Sequence, residues 1–366
     1  MKFRSIARMI LAGAAVVPCL LLLLPVFAVA GLMALFVQGV RALGWLIEPR
    51  FVRWQELIEF DRELGWRPKP NLDACYLADR DDVHRVVTDR EGWPGRRSLD
   101  DSRVVVIGDS FAFGYGVDAG RTFAELSDVP TKAVGAPGYS MVHGVLLMEQ
   151  FAARLAGKLV VWFVYTENDL QDNLAPEMRQ YRAPFAQFDP ARQSWDIAGA
   201  HVHPAPWRSS NLDRSRLFAH FCVQGPVADR AYAAADYLIT RAAAACRAAG
   251  ARLALVTIPH PIQLSAAGLA TLAERSGRPE LCDPALPDRR IAESCRRADV
   301  SMIAATDFLT ARDYKPREGI HWNEHGHRRM AALVTQLHAS FATGELHAGT
   351  GPLHSRVSER LASVPR

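Results

Sequence analysis

Several familiar chemical signatures are missing from this chain of 366 residues. It has no metal-type Cys-x-x-Cys spacing and no obvious catalytic cysteine. It has no His-Glu-x-x-His, the helical zinc-protease pattern, and no Gly-x-Ser-x-Gly, the nucleophile elbow of the α/β-hydrolases. An excess of one charge is missing too. Forty-three Lys+Arg against 39 Asp+Glu leave a formal charge of +4, and the basic residues are scattered, so nothing suggests a nucleic-acid partner. There is no internal repeat. Cysteine is sparse, with six in all. Cys19 falls in an apolar run, leaving Cys75, Cys222, Cys246, Cys282 and Cys295. An oxidising compartment would permit disulfides. Cys282 and Cys295 bracket a short polar, proline-containing loop and are the preferred pair, the alternative being that all five are small buried hydrophobes.

Apolar runs long enough to span a bilayer are absent after Val37 but present before it. Met9 to Val37 is almost uninterrupted, about 29 residues, where roughly 20 suffice to cross a bilayer. Ala28-Val29-Ala30 fits signal-peptide cleavage, but the run continues through Val37, which a cleaved signal does not need. The expectation is an uncleaved N-terminal transmembrane helix, with a cleaved signal as the alternative. Lys2, Arg4 and Arg8 on the amino side, against Arg41, Arg50 and Arg53 diluted by Glu48 and Glu56, lean to a cytoplasmic N-terminus. The bulk of the chain is then periplasmic, held in the cytoplasmic (inner) membrane.

Beyond this anchor (1–48), a polar preface (49–102) rich in Pro and Gly argues for short strands and turns packed on the core. The main domain is expected over 103–343. Its fully apolar strands are predicted at Arg103–Gly108, Thr131–Val134, Leu159–Tyr165, Arg252–Ile258 and Met302–Ala305. They alternate with helical stretches beginning at Phe123–Leu126 and covering Tyr139–Leu155, Arg230–Ala249 and His327–Phe341. That rhythm implies α/β architecture, a parallel sheet covered on both faces. Between Asn173 and about Val227 the rhythm breaks, as an insertion beside the site would. The tail from Gly344 to Arg366 is small and polar.

Four short blocks sit at the ends of these elements. Gly108-Asp109-Ser110 closes the first strand and presents a hydroxyl at its carboxyl end, where open α/β sheets place ligands. Gly135-Ala136-Pro137-Gly138-Tyr139-Ser140 follows the second strand, and a glycine there lets a backbone N–H approach a ligand closely. Thr166-Glu167-Asn168-Asp169 follows the third, and the Asn168 amide is a suitable oxyanion donor. Glu318-Gly319-Ile320-His321 lies more than two hundred residues after Ser110. A neutral serine needs a base, an orienting acid and oxyanion donors. Ser110 is then the nucleophile, His321 the base, and Glu318 the acid three residues before it, with Asp313 as the other candidate. Asp109 braces the turn rather than reacting, His327 packs or caps the last helix, His325 faces solvent, and Trp162, Phe163 and Tyr165 are core. A metal on His321, His325 and His327 would leave the serine unexplained. The glycines of Gly114-Tyr115-Gly116-Val117-Asp118-Ala119 stand too far from the strand for a dinucleotide loop. No cofactor is implied.

In this order the blocks resemble the SGNH (GDSL) hydrolase superfamily: Gly108-Asp109-Ser110 its serine block, Gly138 its glycine block, Asn168 its asparagine block and His321 its histidine block. Gly65-Trp66-Arg67-Pro68-Lys69-Pro70-Asn71 is similar to a preface found in some bacterial members. The resemblance covers roughly residues 100–340. It implies a flavodoxin-like three-layer α/β/α sandwich and an oxyanion hole made by the N–H groups of Ser110 and Gly138 and the amide of Asn168. It departs where Glu318 stands for the usual Asp, Thr166 for a glycine and Ala133 for an asparagine. The implied reaction is hydrolysis of a carboxylic ester through an acyl-serine, with removal of O-acetyl groups from an extracytoplasmic glycan as the substrate expectation. Alternatives are O-acyl transfer by the same residues and a catalytically silent glycan-binding or scaffold protein.

Overall fold

The computed structural model describes residues 23, 25–40, 51–52, 54–79, 82–178, 181–199, 214–316 and 320–344. The chain divides into two compact units, 1–51 and 52–366. In the first, residues 25–40 are helical and expose Phe27, Leu32, Leu35 and Phe36 to more than six-tenths. Residues 9–22 and 24 of the expected Met9–Val37 anchor lie outside the described residues. Among the described residues no helix is long and apolar enough to cross a membrane.

The second unit is built on five parallel strands, β1 (Val104–Gly108), β2 (Thr131–Gly135), β3 (Leu159–Tyr165), β4 (Arg252–Ile258) and β5 (Ser301–Ala304), in the order β2-β1-β3-β4-β5. Val104 pairs with both Thr131 and Leu159, Arg252 with Leu159, and Ala254 with Ser301. Every residue of β1, β2 and β3 is buried, because both faces are covered and strand alternation has no wet side. Val105, Ile107, Trp162 and Leu255 face a layer of three helices, α2 (Met141–Gln150), α3 (Pro226–Ala248) and α4 (Leu286–Ala298). Val104, Val106, Phe163 and Val256 face the opposite layer, where α5 (Glu324–Ala342) packs through Met330, Leu333, Val334 and Leu337. The expected three-layer α/β/α sandwich with a flavodoxin-like strand order is therefore present.

Two features differ from expectation. Helix α4 went unseen in the sequence because its arginines (Arg289, Arg290, Arg296 and Arg297) mask a narrow apolar stripe. Its buried residues are Leu286, Pro287, Ile291, Ser294, Cys295 and Ala298. This helix also overturns the Cys282–Cys295 pairing. Both thiols are free, Cys295 in the α3–α4 layer and Cys282 in a separate cluster with Phe218, Cys222 and Leu272. The region is a helix and its lead-in rather than a loop that a disulfide could close.

The preface contains two antiparallel hairpins, Ile58–Asp61 with Gly65–Pro68 and Asp73–Asp79 with Asp82–Val87. In the first, Asp61 Oδ1 accepts the N–H groups of Glu63 and Leu64, satisfying the turn backbone with a side chain. Ile58, Leu64, Trp66, Trp93 and Leu99 belong to the same apolar cluster as α2 and α3. A buried ion pair ties the preface to β2. Lys132 Nζ stands 2.8 Å from Asp89 Oδ2, with both side chains almost fully covered, and donates to the carbonyls of Trp93 and Pro94. Burial pulls the Lys132 ammonium below its ordinary pKa, against the pull of Asp89. Within the insertion, Phe185–Asp189 pairs with Ser194–Ala198, with Phe188 against Trp195.

Breaking a buried pair from one side strands a charge, whereas removing both partners does not. Lys132→Met is expected to cost about 3–5 kcal/mol in urea unfolding, and Lys132→Met with Asp89→Leu distinctly less. Equal losses in the two variants would mean that the pair contributes only packing.

Candidate active site

At the carboxyl end of the sheet the chain leaves β1 and β3 in opposite directions, because β2 lies on one side of β1 and β4 on the far side of β3. That reversal opens a crevice, the usual ligand position of a doubly wound sheet. Strand β1 ends there in Gly108. A Cβ at this position would stand 3.0 Å from Phe163 Cβ and 3.1 Å from Phe163 O, so a side chain here would have to displace Phe163. Asp109 then caps the single-turn helix α1 (Ser110–Phe113), accepting the N–H of Phe111 at 2.9 Å. Burial raises the Asp109 carboxyl to about 6, opposed by that hydrogen bond and by His321. Ser110 is the first residue of the turn, its hydroxyl 3.4 Å from Asp109 Oδ2.

His321 arrives from the segment between β5 and α5. Tyr314 and Trp322 form an antiparallel bridge, and Lys315 N–H donates to His321 O at 2.9 Å. Asn323 caps α5 by accepting the N–H groups of His325 and Gly326, while its amide donates to the carbonyls of Arg312 and Tyr314. Held in this way, His321 Nε2 lies 2.8 Å from Ser110 Oγ. The rings of Phe111 and Tyr115 lie 5.2 and 4.7 Å from the imidazole, centroid to centroid. Ser110 is 8% and His321 9% exposed, so the pair is largely shielded from solvent.

Glu318 lies outside the described residues. Asp313 is fully buried, and its carboxylate is engaged elsewhere. Oδ1 bonds His325 Nδ1, and Oδ2 accepts from Thr310 N and Arg329. This places Asp313 in a different network from the Ser110–His321 contact. It also corrects His325, which is partly buried against Asp313 rather than turned to solvent. Trp162, Phe163 and Tyr165 are buried. His327 is buried as well, its Nδ1 accepting the N–H of Phe123.

The other two candidate donor positions, Gly138 and Asn168, are held from behind. Gly138 has φ +87°, a backbone state that side chains resist. Its flanks are clamped by the first preface hairpin. Trp66 Nε1 donates to Pro137 O at 3.2 Å, and Tyr139 Oη donates to Trp66 O at 2.7 Å. His143, at the start of α2, accepts the N–H of Ser140 on Nδ1 and reaches Leu64 O with Nε2. Its ring stacks on Tyr139 at 4.3 Å. Asn168 ends the turn after β3, and its Nδ2 donates to Asp172 Oδ2 at 2.8 Å. A carboxylate only accepts, so this bond fixes which end of the amide is nitrogen and leaves its second N–H for another acceptor. Asp169 Oδ2 accepts the N–H of Tyr165. Burial, then the neighbouring Asp109 and Asp172, drive the Asp169 carboxyl well above the usual range. Trp66, Tyr115, His143 and Asp172 were not singled out as site residues in the sequence. The only hint was Trp66, within the Gly65–Asn71 preface block.

Burial lowers the pKa of His327 to about 3, from an ordinary value of 6.5. A depressed pKa stabilises the folded state above the unfolded value and loses that contribution as pH falls towards the folded one. Asp109, raised to about 6, works in the opposite sense, so the isolating quantity is the difference between two proteins. The stability of His327→Asn relative to wild type is expected to improve steadily from pH 6.5 down towards pH 4 in denaturant titrations. A pH-independent difference would mean that His327 is not held neutral.

No family model matches this chain, and no curated protein matches it. Among solved structures, a GDSL-like lipase from Bacteroides thetaiotaomicron is 15% identical, with a TM-score of 0.36, over 68% of this chain and 92% of its own. Another crystal structure is 18% identical, also with a TM-score of 0.36, over 66% of this chain and 98% of its own. Likenesses this slight leave any assignment to the geometry of the site itself.

Proposed function

We propose that this chain is a serine esterase of the SGNH (GDSL) type, cleaving carboxylic esters through an acyl-serine intermediate. The observation that carries the reading is the 2.8 Å contact between Ser110 Oγ and His321 Nε2 at the reversal of the strand order. A buried hydroxyl and imidazole in that relation are the nucleophile and base of acyl transfer. His321 Nε2 takes the Ser110 proton as Oγ attacks the ester carbonyl carbon. The oxyanion accepts from the N–H groups of Ser110 and Gly138 and from the free N–H of Asn168. Collapse breaks the carbon–alkoxide bond, and His321 returns the proton to the leaving alcohol. Water, deprotonated by the same nitrogen, then attacks the acyl carbon, and a second collapse releases the acid and restores Ser110. Glu318 is the acid assigned to hold the imidazole tautomer. The chemistry calls for no metal or cofactor.

The substrate assigned is an O-acetylated glycan outside the cytoplasm. Met9–Val37 serves as a single-pass anchor in the inner membrane and the catalytic unit is periplasmic. The support is the length of that run, the Lys2, Arg4 and Arg8 flank, and the unsheathed apolar side chains over 26–40. Transfer of the acyl group to a sugar hydroxyl is the second reading. It is favoured by the low exposure of Ser110 and His321, which limits competing water.

The test is fluorophosphonate labelling of the detergent-purified protein beside Ser110→Ala and His321→Ala. Labelling lost in both variants is the expected outcome, and a folded wild type that never labels would sink the enzyme reading in favour of a binding protein. Asn168→Ala is expected to lower kcat for p-nitrophenyl acetate by about 10²–10³-fold with a smaller change in KM. An unchanged kcat would remove Asn168 from the oxyanion site.

A further inference from the structure

We infer that Lys315 is a positioning residue for His321, holding the histidine segment in place through a tether to the second preface hairpin. The inference rests on the reading of His321 as the catalytic base. Lys315 is a lysine only 9% exposed, and such burial demands a partner. Its ammonium pairs with the Asp82 carboxylate and lies 2.9 Å from His84 Nε2. That same nitrogen is 2.6 Å from Asp82 Oδ1, and Asp118 stands 3.9 Å from the other ring nitrogen. Asp82 and His84 are more than 230 residues away in the chain, on the strand Asp82–Val87.

The path between them crosses Gly116. This glycine has φ +86°, and a Cβ there would stand 2.8 Å from Lys315 Cε and 2.9 Å from Nζ. The glycine therefore leaves the corridor through which the lysine passes, which gives Gly114-Tyr115-Gly116 a purpose other than phosphate binding. The same short loop is fastened to the same hairpin. Gly116 N–H donates to Tyr76 Oη at 2.7 Å, and Tyr115 Oη donates to Ala78 O at 3.0 Å. The Tyr115 ring is the one lying 4.7 Å from the imidazole of His321.

At the backbone, the N–H of Lys315 donates to the carbonyl of His321 itself. Anchoring Lys315 therefore anchors the strand-like pair from which the imidazole projects, while Tyr115 blocks one face of the ring. Without the tether, the segment after Tyr314 keeps its local backbone bonds but loses its link to the hairpin. A displacement of about 1 Å in a reacting group can cost about 10²-fold in rate.

The experiment uses the full chain and p-nitrophenyl acetate, with fluorophosphonate labelling rates measured in parallel. Lys315→Met is expected to lower kcat and the labelling rate together by about 10–100-fold, with KM within about twofold. Asp82→Asn, at a partly exposed partner, should do the same without emptying a buried position, and carries the test if Lys315→Met does not fold. The double variant should be no slower than the slower single one, because both remove one link. Wild-type kcat in Asp82→Asn, or in a folded Lys315→Met, while His321→Ala is inactive, overturns the tether alone. A fully active His321→Ala overturns the reading on which it rests. A common fall in melting temperature with unchanged kcat would make Lys315 merely structural and also overturns the tether.

Discussion

The close passage of β1 and β3 at Gly108 is the constraint on which the site depends. Two strands of one parallel sheet meet there without a side chain between them, and the chain turns away from each in opposite directions. The crevice so formed receives a hydroxyl from the end of β1 and an amide from the turn after β3. A bulkier residue at 108 would have to push Phe163 aside, and Phe163 packs on Phe123 and Trp322 beneath the histidine segment. Packing on that face and spacing within the site are therefore a single problem.

The preface takes part in this arrangement rather than decorating it. Its first hairpin grips both neighbours of Gly138 through Trp66, and its second meets the loop of Tyr115 and Gly116 and the side chain of Lys315. Residues 54–87 thus reach the glycine loop and the histidine segment from outside the sheet. The buried Lys132–Asp89 pair fastens the chain just beyond it to β2. Such a charged link is costly to break from one side, which makes it a device of position more than of net stability.

Acidic groups crowd the crevice. Asp109, Glu167, Asp169 and Asp172 are all buried at the ends of β1 and β3, and each does a local task where its partners are visible. Asp109 caps α1, Asp169 takes the N–H of Tyr165, and Asp172 holds Asn168. Their mutual repulsion raises the Asp169 carboxyl further.

Much of the scaffold was legible. Five apolar, β-branched runs marked five strands within a residue or two, since parallel strands covered on both faces leave no polar alternation to misread. Helices α3 and α5 were both placed, α3 by an alanine-rich run closed by Gly250. Helix α4 was not, because six charged side chains interrupt its narrow buried stripe. The Cys282–Cys295 loop was misjudged for the same reason. In the site, residue type and block order singled out Ser110, Gly138, Asn168 and His321. Asp172, four residues past Asn168, carried no mark beyond its carboxyl group. His325 was taken for a surface residue because its partner, Asp313, lies across a loop that only folding closes. Sequence alone singled out the candidate site residues and the strands that form the sheet, because hydrophobic periodicity and side-chain type are local properties. Tertiary structure alone decided that 211 residues of separation close to 2.8 Å between Ser110 and His321. It also decided that a lysine over 230 residues from its partner threads past a glycine to reach it, because such distances depend on packing between elements that no local pattern records.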